Sequence, residues 1–106
     1  MTKKEFDKEL SENRIVVAKF GAEWCGPCKS LAPVFDEVAR ENQDARMLSI
    51  DVEESDEIVG EYGVTNIPLV LYFLDGEPFS IGVGVIGKDN LSETIQNMRN
   101  TQKRNG

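Results

Sequence analysis

An α/β domain, with one mixed four-stranded sheet and helices on both of its faces, is the architecture this sequence predicts, and three observations predict it. Segments with helical spacing alternate with short β-branched runs in the order α-β-α-β-α-β-β-α. A helix lies between the first two strands, so they must run parallel: a crossover returns the chain to the end of the sheet it left. Asp75-Gly76, between the last two strands, is a tight-turn dipeptide that makes that pair an antiparallel hairpin. The 106 residues are enough for a single domain with its own core.

The elements follow in order. Thr2-Lys3-Lys4-Glu5 has the form of a capping box, and Phe6 and Leu10 stand i,i+4 on one face, which predicts a helix over 3–12. Residues 15–20 are a β-branched run suited to a buried strand. Leu31, Ala32, Phe35, Val38 and Ala39 recur at helical spacing, predicting a helix to about residue 42 with a kink near Pro33. Residues 46–51 read as the second strand. Ser55 is placed to cap a helix carrying Ile58, Val59 and Tyr62, which Gly63 ends. Residues 69–74 and 78–84 are the strands of the hairpin, and Leu91, Ile95 and Met98 mark a final helix. The polar tail from Thr101 to Gly106 is expected to fray.

Composition narrows the function. Twelve basic against 19 acidic residues give a net charge of -7, which argues against a nucleic-acid partner whose phosphates need Lys and Arg. The N-terminus leads into a polar helix rather than an apolar signal core, and no apolar run reaches the roughly 18 residues of a membrane span. A cytoplasmic location, with no membrane partner, is the expectation. There, two cysteines are more often catalytic or metal-binding than a structural staple. With no histidine and only one CxxC, the four ligands of a structural zinc site are missing from a single chain, so no metal is expected.

The chemistry centres on Cys25-Gly26-Pro27-Cys28 at a strand-to-helix junction. A thiolate is the attacking species in disulfide exchange, and a helix N-terminus, with its free N–H groups and positive dipole end, stabilises one. On this reading Cys25 is the exposed nucleophile and Cys28 the more buried resolving thiol. Pro27 fixes φ in the first turn, where its missing donor costs little. The competing reading is two unrelated buried cysteines, which Trp24 and the preceding strand disfavour.

Ala22-Glu23-Trp24-Cys25-Gly26-Pro27-Cys28-Lys29, with Ala32-Pro33 downstream, resembles the active-site segment of the thioredoxin family. Gly63-Val64-Thr65-Asn66-Ile67-Pro68 is similar to the family's loop before its cis-proline, and Asp75-Gly76-Glu77 and Val83-Gly84 also match. The resemblance covers nearly the whole chain. It implies a thioredoxin fold, with four strands here ordered second, first, third, fourth, because little chain precedes the first helix. It implies a protein-disulfide oxidoreductase that reduces client disulfides by dithiol–disulfide exchange, is re-reduced by a thioredoxin reductase, needs no other cofactor and works as a monomer. Gly26-Pro27 resembles the reducing rather than the oxidising members; an oxidase or isomerase, and a non-catalytic scaffold, are the rival functions. The resemblance further implies a cis bond at Pro68, opposite the CxxC, with Ile67 offering backbone hydrogen bonds to an extended substrate. Trp24 would form a rim beside the nucleophile. Gly84 would admit a partner backbone, or else serve as a bulge glycine.

Four positions depart from the family pattern. Lys19 stands where most members have a buried aspartate, Met47 where many have a lysine, Gly21 where many have a tryptophan, and Leu69 where threonine is usual. Strand alternation puts Lys19 with Val17 on one face and Val16, Ala18 and Phe20 on the other. Three roles stay open for Lys19: a neutral base for the resolving cysteine, a cation that stabilises a thiolate, or a side chain that packs its stem and snorkels to water. Gly21 and Gly82 carry no chemical role on this reading.

Overall fold

The computed structural model describes residues 1–102; residues 103–106 of the polar tail lie outside the described residues. Within them the chain forms α1 (Lys3–Glu12), β1 (Ile15–Gly21), α2 (Gly26–Glu41), β2 (Ala45–Asp51), a 3-10 turn (Val52–Glu54), α3 (Asp56–Tyr62), β3 (Leu69–Leu74), β4 (Glu77–Val83) and α4 (Lys88–Asn100). The strands lie in the order β2-β1-β3-β4. β1 pairs parallel with β2, Lys19 opposite Ser49, and antiparallel with β3, Lys19 opposite Val70. β3 and β4 form the expected hairpin, and φ is positive at both turn residues, Asp75 and Gly76 (52° and 81°), as a two-residue turn between twisted strands demands.

Strand alternation divides the apolar residues between two cores. Ile15, Val17, Tyr72 and Leu74 pack under α2 and α4 against Leu31, Phe35, Leu91 and Ile95. Val16, Ala18 and Phe20 point the other way, toward Phe6 of α1 and Ile58 of α3. There Phe6, Tyr62 and Phe73 meet edge to face with ring centroids 5.4–5.7 Å apart, the arrangement their quadrupoles favour. The capping box forms as expected: Thr2 Oγ1 accepts from the Glu5 N–H at 3.1 Å and Glu5 Oε1 from the Thr2 N–H at 2.8 Å. α2 runs unbroken through Pro33.

One local expectation needs correction. Ser55 stands at the N-cap of α3, but its backbone (φ -138°, ψ 47°) is not extended, and its hydroxyl caps nothing. Instead this buried hydroxyl accepts from the N-terminal ammonium of Met1 at 3.4 Å. A 3-10 turn precedes it, and the Asp51 carboxylate starts that turn by accepting from the Glu53 N–H at 2.8 Å. On the far side, β4 is an edge strand. Its register slips at Tyr72/Phe73, beside Pro78, and Phe79, Ile81 and Val83 remain exposed.

Candidate active site

β1 ends at Gly21, and a turn closed by the Cys25 N–H on the Ala22 carbonyl (3.1 Å) carries the chain into α2. Cys25 is the N-cap residue of α2, and its sulfur accepts from the Cys28 N–H at 3.3 Å. Pro27 lies in the first turn, where the missing N–H leaves nothing unpaired. Cys25 and Cys28 are joined as a disulfide with Cα atoms 5.3 Å apart, inside the usual range. When that bond is reduced, Cys25 stands where a helix N-terminus and an aimed N–H both favour its thiolate.

The exposure expected to separate the two cysteines is absent: Cys25 is 5% and Cys28 8% exposed. Both are buried, and Gly21 leaves room on the Cys28 side alone. With no side chain there, a cleft of about 290 Å³ opens against Cys28, walled by Lys19, Gly21, Lys29, Ser49 and Asp51 among others, whereas Cys25 does not line it.

The register gathers the other expected residues at the same end of the sheet. Leu69 pairs with Phe20 on one side and Val83 on the other, so Pro68 and Gly84 flank the strand end from which the CxxC segment departs. The Ile67–Pro68 bond is cis, Pro68 is buried and Ile67 half-buried. Gly84 has φ 81° and donates its N–H to the Pro68 carbonyl at 3.0 Å, which ties the two loops together. Gly26 and Pro27 are exposed, and Trp24 is 69% exposed. The Trp24 indole N–H donates to Glu53 at 2.8 Å. Sequence reasoning missed Glu53; the only signal was its place in the acidic stretch after β2.

Lys19 lies on the face with Val17, as alternation required, and its ammonium sits 5.0 Å from the centroid of the Phe35 ring. Burial pushes its pKa below the usual lysine value, partly opposed by the charge of Asp36. The aromatic face supports the charged form. Met47 packs half-buried against the α2/α4 core and Leu69 is buried on the opposite face, so both departures are absorbed as packing. Among the described residues no group of His, Cys, Asp and Glu is arranged to hold a metal. No helix among them is long and apolar enough to cross a membrane.

The thioredoxin family model matches residues 1–97. Thioredoxin of Mycoplasmoides gallisepticum is 43% identical over 94 residues, 89% of this chain and 94% of that protein. Thioredoxin of Bacillus subtilis is 43% identical over 95 residues, 89% of this chain and 90% of its own. Among solved structures, a mutant thioredoxin from Halobacterium salinarum superposes with a TM-score of 0.87 at 37% identity, over 95% of this chain and 88% of that one. With a CxxC pair closed as a disulfide at the head of α2 on the matching fold, the chain belongs to the thioredoxin family of protein-disulfide oxidoreductases, which work by dithiol–disulfide exchange.

Proposed function

We propose that this protein is a general reductant of protein disulfides with Cys25 as nucleophile and Cys28 as resolving thiol. The observation that carries this reading is the placement of Cys25 at the N-cap of α2, its sulfur accepting a main-chain N–H. The Cys25 thiolate attacks one sulfur of a client disulfide, forming a mixed disulfide and expelling a client thiolate. Cys28 then attacks the Cys25 sulfur and releases the second client thiolate. Two electrons pass to the client, and the Cys25–Cys28 bond closes.

Trp24 and the cis Ile67–Pro68 loop, with Gly84 tied to it, offer the surface on which a client segment lies. Gly26 and Pro27 leave the approach to the motif free of bulk. Lys19 is a positioning residue: held as a cation over Phe35 and lining the cleft beside Cys28, it lowers the energy of thiolate at the motif. A thioredoxin reductase returns the electrons, with no further cofactor, and the protein works as a cytoplasmic monomer.

Reduction of insulin, driven first by dithiothreitol and then by NADPH with a thioredoxin reductase, tests the proposal. Turnover in both is expected. Failure with dithiothreitol would refute the reductase reading, and failure with the enzyme alone would refute the partner. A double Cys→Ser variant that kept all activity would establish a scaffold instead.

A further inference from the structure

We infer that the oxidised protein has a second entrance: a low-molecular-weight monothiol reaches the Cys28 sulfur through the cleft beside Gly21 and opens the disulfide there, expelling Cys25. The inference rests on dithiol–disulfide exchange at this motif and not on which cysteine faces protein clients.

Access comes first. Of the two cysteines only Cys28 lines the cleft, and it is the slightly more exposed of the pair. A Cβ at position 21 would lie 3.2 Å from Cys28 Sγ and 3.3 Å from its Cβ, so the missing side chain leaves room beside this sulfur. The cleft, about 290 Å³, admits a small molecule and is too small for a folded client. Attack on a disulfide must come in line with the S–S bond, from the side of the struck sulfur away from its partner. The cleft meets Cys28 and not Cys25, so a thiol inside it comes to Cys28 first.

The chemistry of leaving groups points the same way. Exchange is faster when the expelled sulfur is the better-stabilised thiolate, and which sulfur is struck decides which one leaves. A blow at Cys28 expels Cys25, whose sulfur already accepts the Cys28 N–H at the head of α2. Charge adds to this. Lys19 and Lys29 on the wall attract an incoming thiolate; Glu23 and Asp51 share that wall, Asp51 with its carboxylate engaged by the Glu53 N–H. A monothiol carrying both carboxylates and an ammonium, as glutathione does, matches walls of both signs. The thiolate RS⁻ bonds to Cys28 Sγ as the Cys25–Cys28 bond breaks, and Cys25 takes the electron pair. A second thiolate then attacks the R sulfur, forming RSSR and freeing Cys28. Two monothiols are oxidised, the protein disulfide is reduced, and two protons follow the charge.

The test mixes the oxidised wild-type protein rapidly with glutathione, traps freed thiols with N-ethylmaleimide within a fraction of one turnover, and locates both groups by peptide fragmentation. Glutathione on Cys28 with maleimide on Cys25 is expected. Glutathione on Cys25 in half or more of the trapped protein overturns the inference. Gly21→Ala should slow opening by glutathione about tenfold. An unchanged glutathione rate in a folded Gly21→Ala protein also overturns it. If that variant does not fold, the wild-type map decides alone. Failure here with normal insulin turnover removes the second entrance and leaves the reductase reading standing.

Discussion

Replacing Tyr72 by phenylalanine should make this protein more stable. Tyr72 is 1% exposed in the core under α2 and α4, and among the described residues its hydroxyl has no hydrogen-bond partner. Burial raises its pKa above the ordinary 10.0; the neighbouring Thr94 hydroxyl opposes this weakly, but stands outside bonding geometry and directs its own proton to the Asn90 carbonyl at 2.9 Å. A buried hydroxyl left unpaired costs about 1–3 kcal/mol, and phenylalanine keeps the ring that fills the site. Allowing for the Thr94 contact, the expected gain is about 1 kcal/mol, a rise in Tm of about 4–8 °C for a domain of this size. Because the folded pKa is raised, the tyrosine's pH-linked contribution is complete below 10.0 and is lost as pH climbs through the folded value. Wild type should therefore weaken in alkali more steeply than Tyr72→Phe, and the gap should widen. Urea melts of both proteins at neutral pH and above pH 10.0 measure this. A Tyr72→Phe protein less stable than wild type by about 1 kcal/mol would show that the hydroxyl is paired, and the argument would fail.

Cys25→Ser should abolish disulfide reduction, while Cys28→Ser should still attack but accumulate mixed disulfides; normal turnover by Cys28→Ser would reverse the assigned roles. Lys19→Met removes the cation held over Phe35, and should raise the apparent thiol pKa and slow alkylation at neutral pH. An identical alkylation–pH curve would reduce Lys19 to packing. The Asp44 carboxyl is held below its ordinary 3.8 chiefly by hydrogen bonds from Arg99. The pair is well exposed, so Asp44→Asn should cost less than about 1 kcal/mol. That cost should be complete above pH 3.8 and vanish as pH falls through the folded value, and a loss that ignores pH would refute the assignment.

Elements governed by local pattern were legible in the sequence. The capping box at Thr2, the paired positive φ values at Asp75 and Gly76, and the split of Val16, Ala18 and Phe20 from Val17 and Lys19 all follow from spacing and residue type. The motif at the head of α2 was legible for the same reason, and the family resemblance placed Pro68 with it. What depends on contacts between distant segments was not. Ser55 looks like a cap in its own neighbourhood, yet its hydroxyl is taken by Met1, 54 residues away. Glu53 meets Trp24 only because the 3-10 turn folds back beside the motif. Gly21 reads as an ordinary bend until the cleft it leaves beside Cys28 is seen, and the burial of Cys25 as well as Cys28 removes the exposure difference the motif had suggested. Lys19 could be assigned a face but not a neighbour; Phe35 supplies the neighbour from α2.

The slipped register of β4 has a consequence for solubility. Phe79, Ile81 and Val83 form an apolar row on an edge strand, where unpaired main-chain groups invite a second copy to extend the sheet. Such growth needs a run of regularly spaced donors and acceptors. Pro78 contributes no donor, and the irregularity opposite Tyr72/Phe73 throws the next residues out of phase. At the far end the left-handed Gly84 turns the chain away and commits its N–H to Pro68. The stretch left for ladder growth is only a few residues long, and molecules that all carry a charge of -7 repel one another before they can align it. An apolar row can thus stay open to water without seeding fibres.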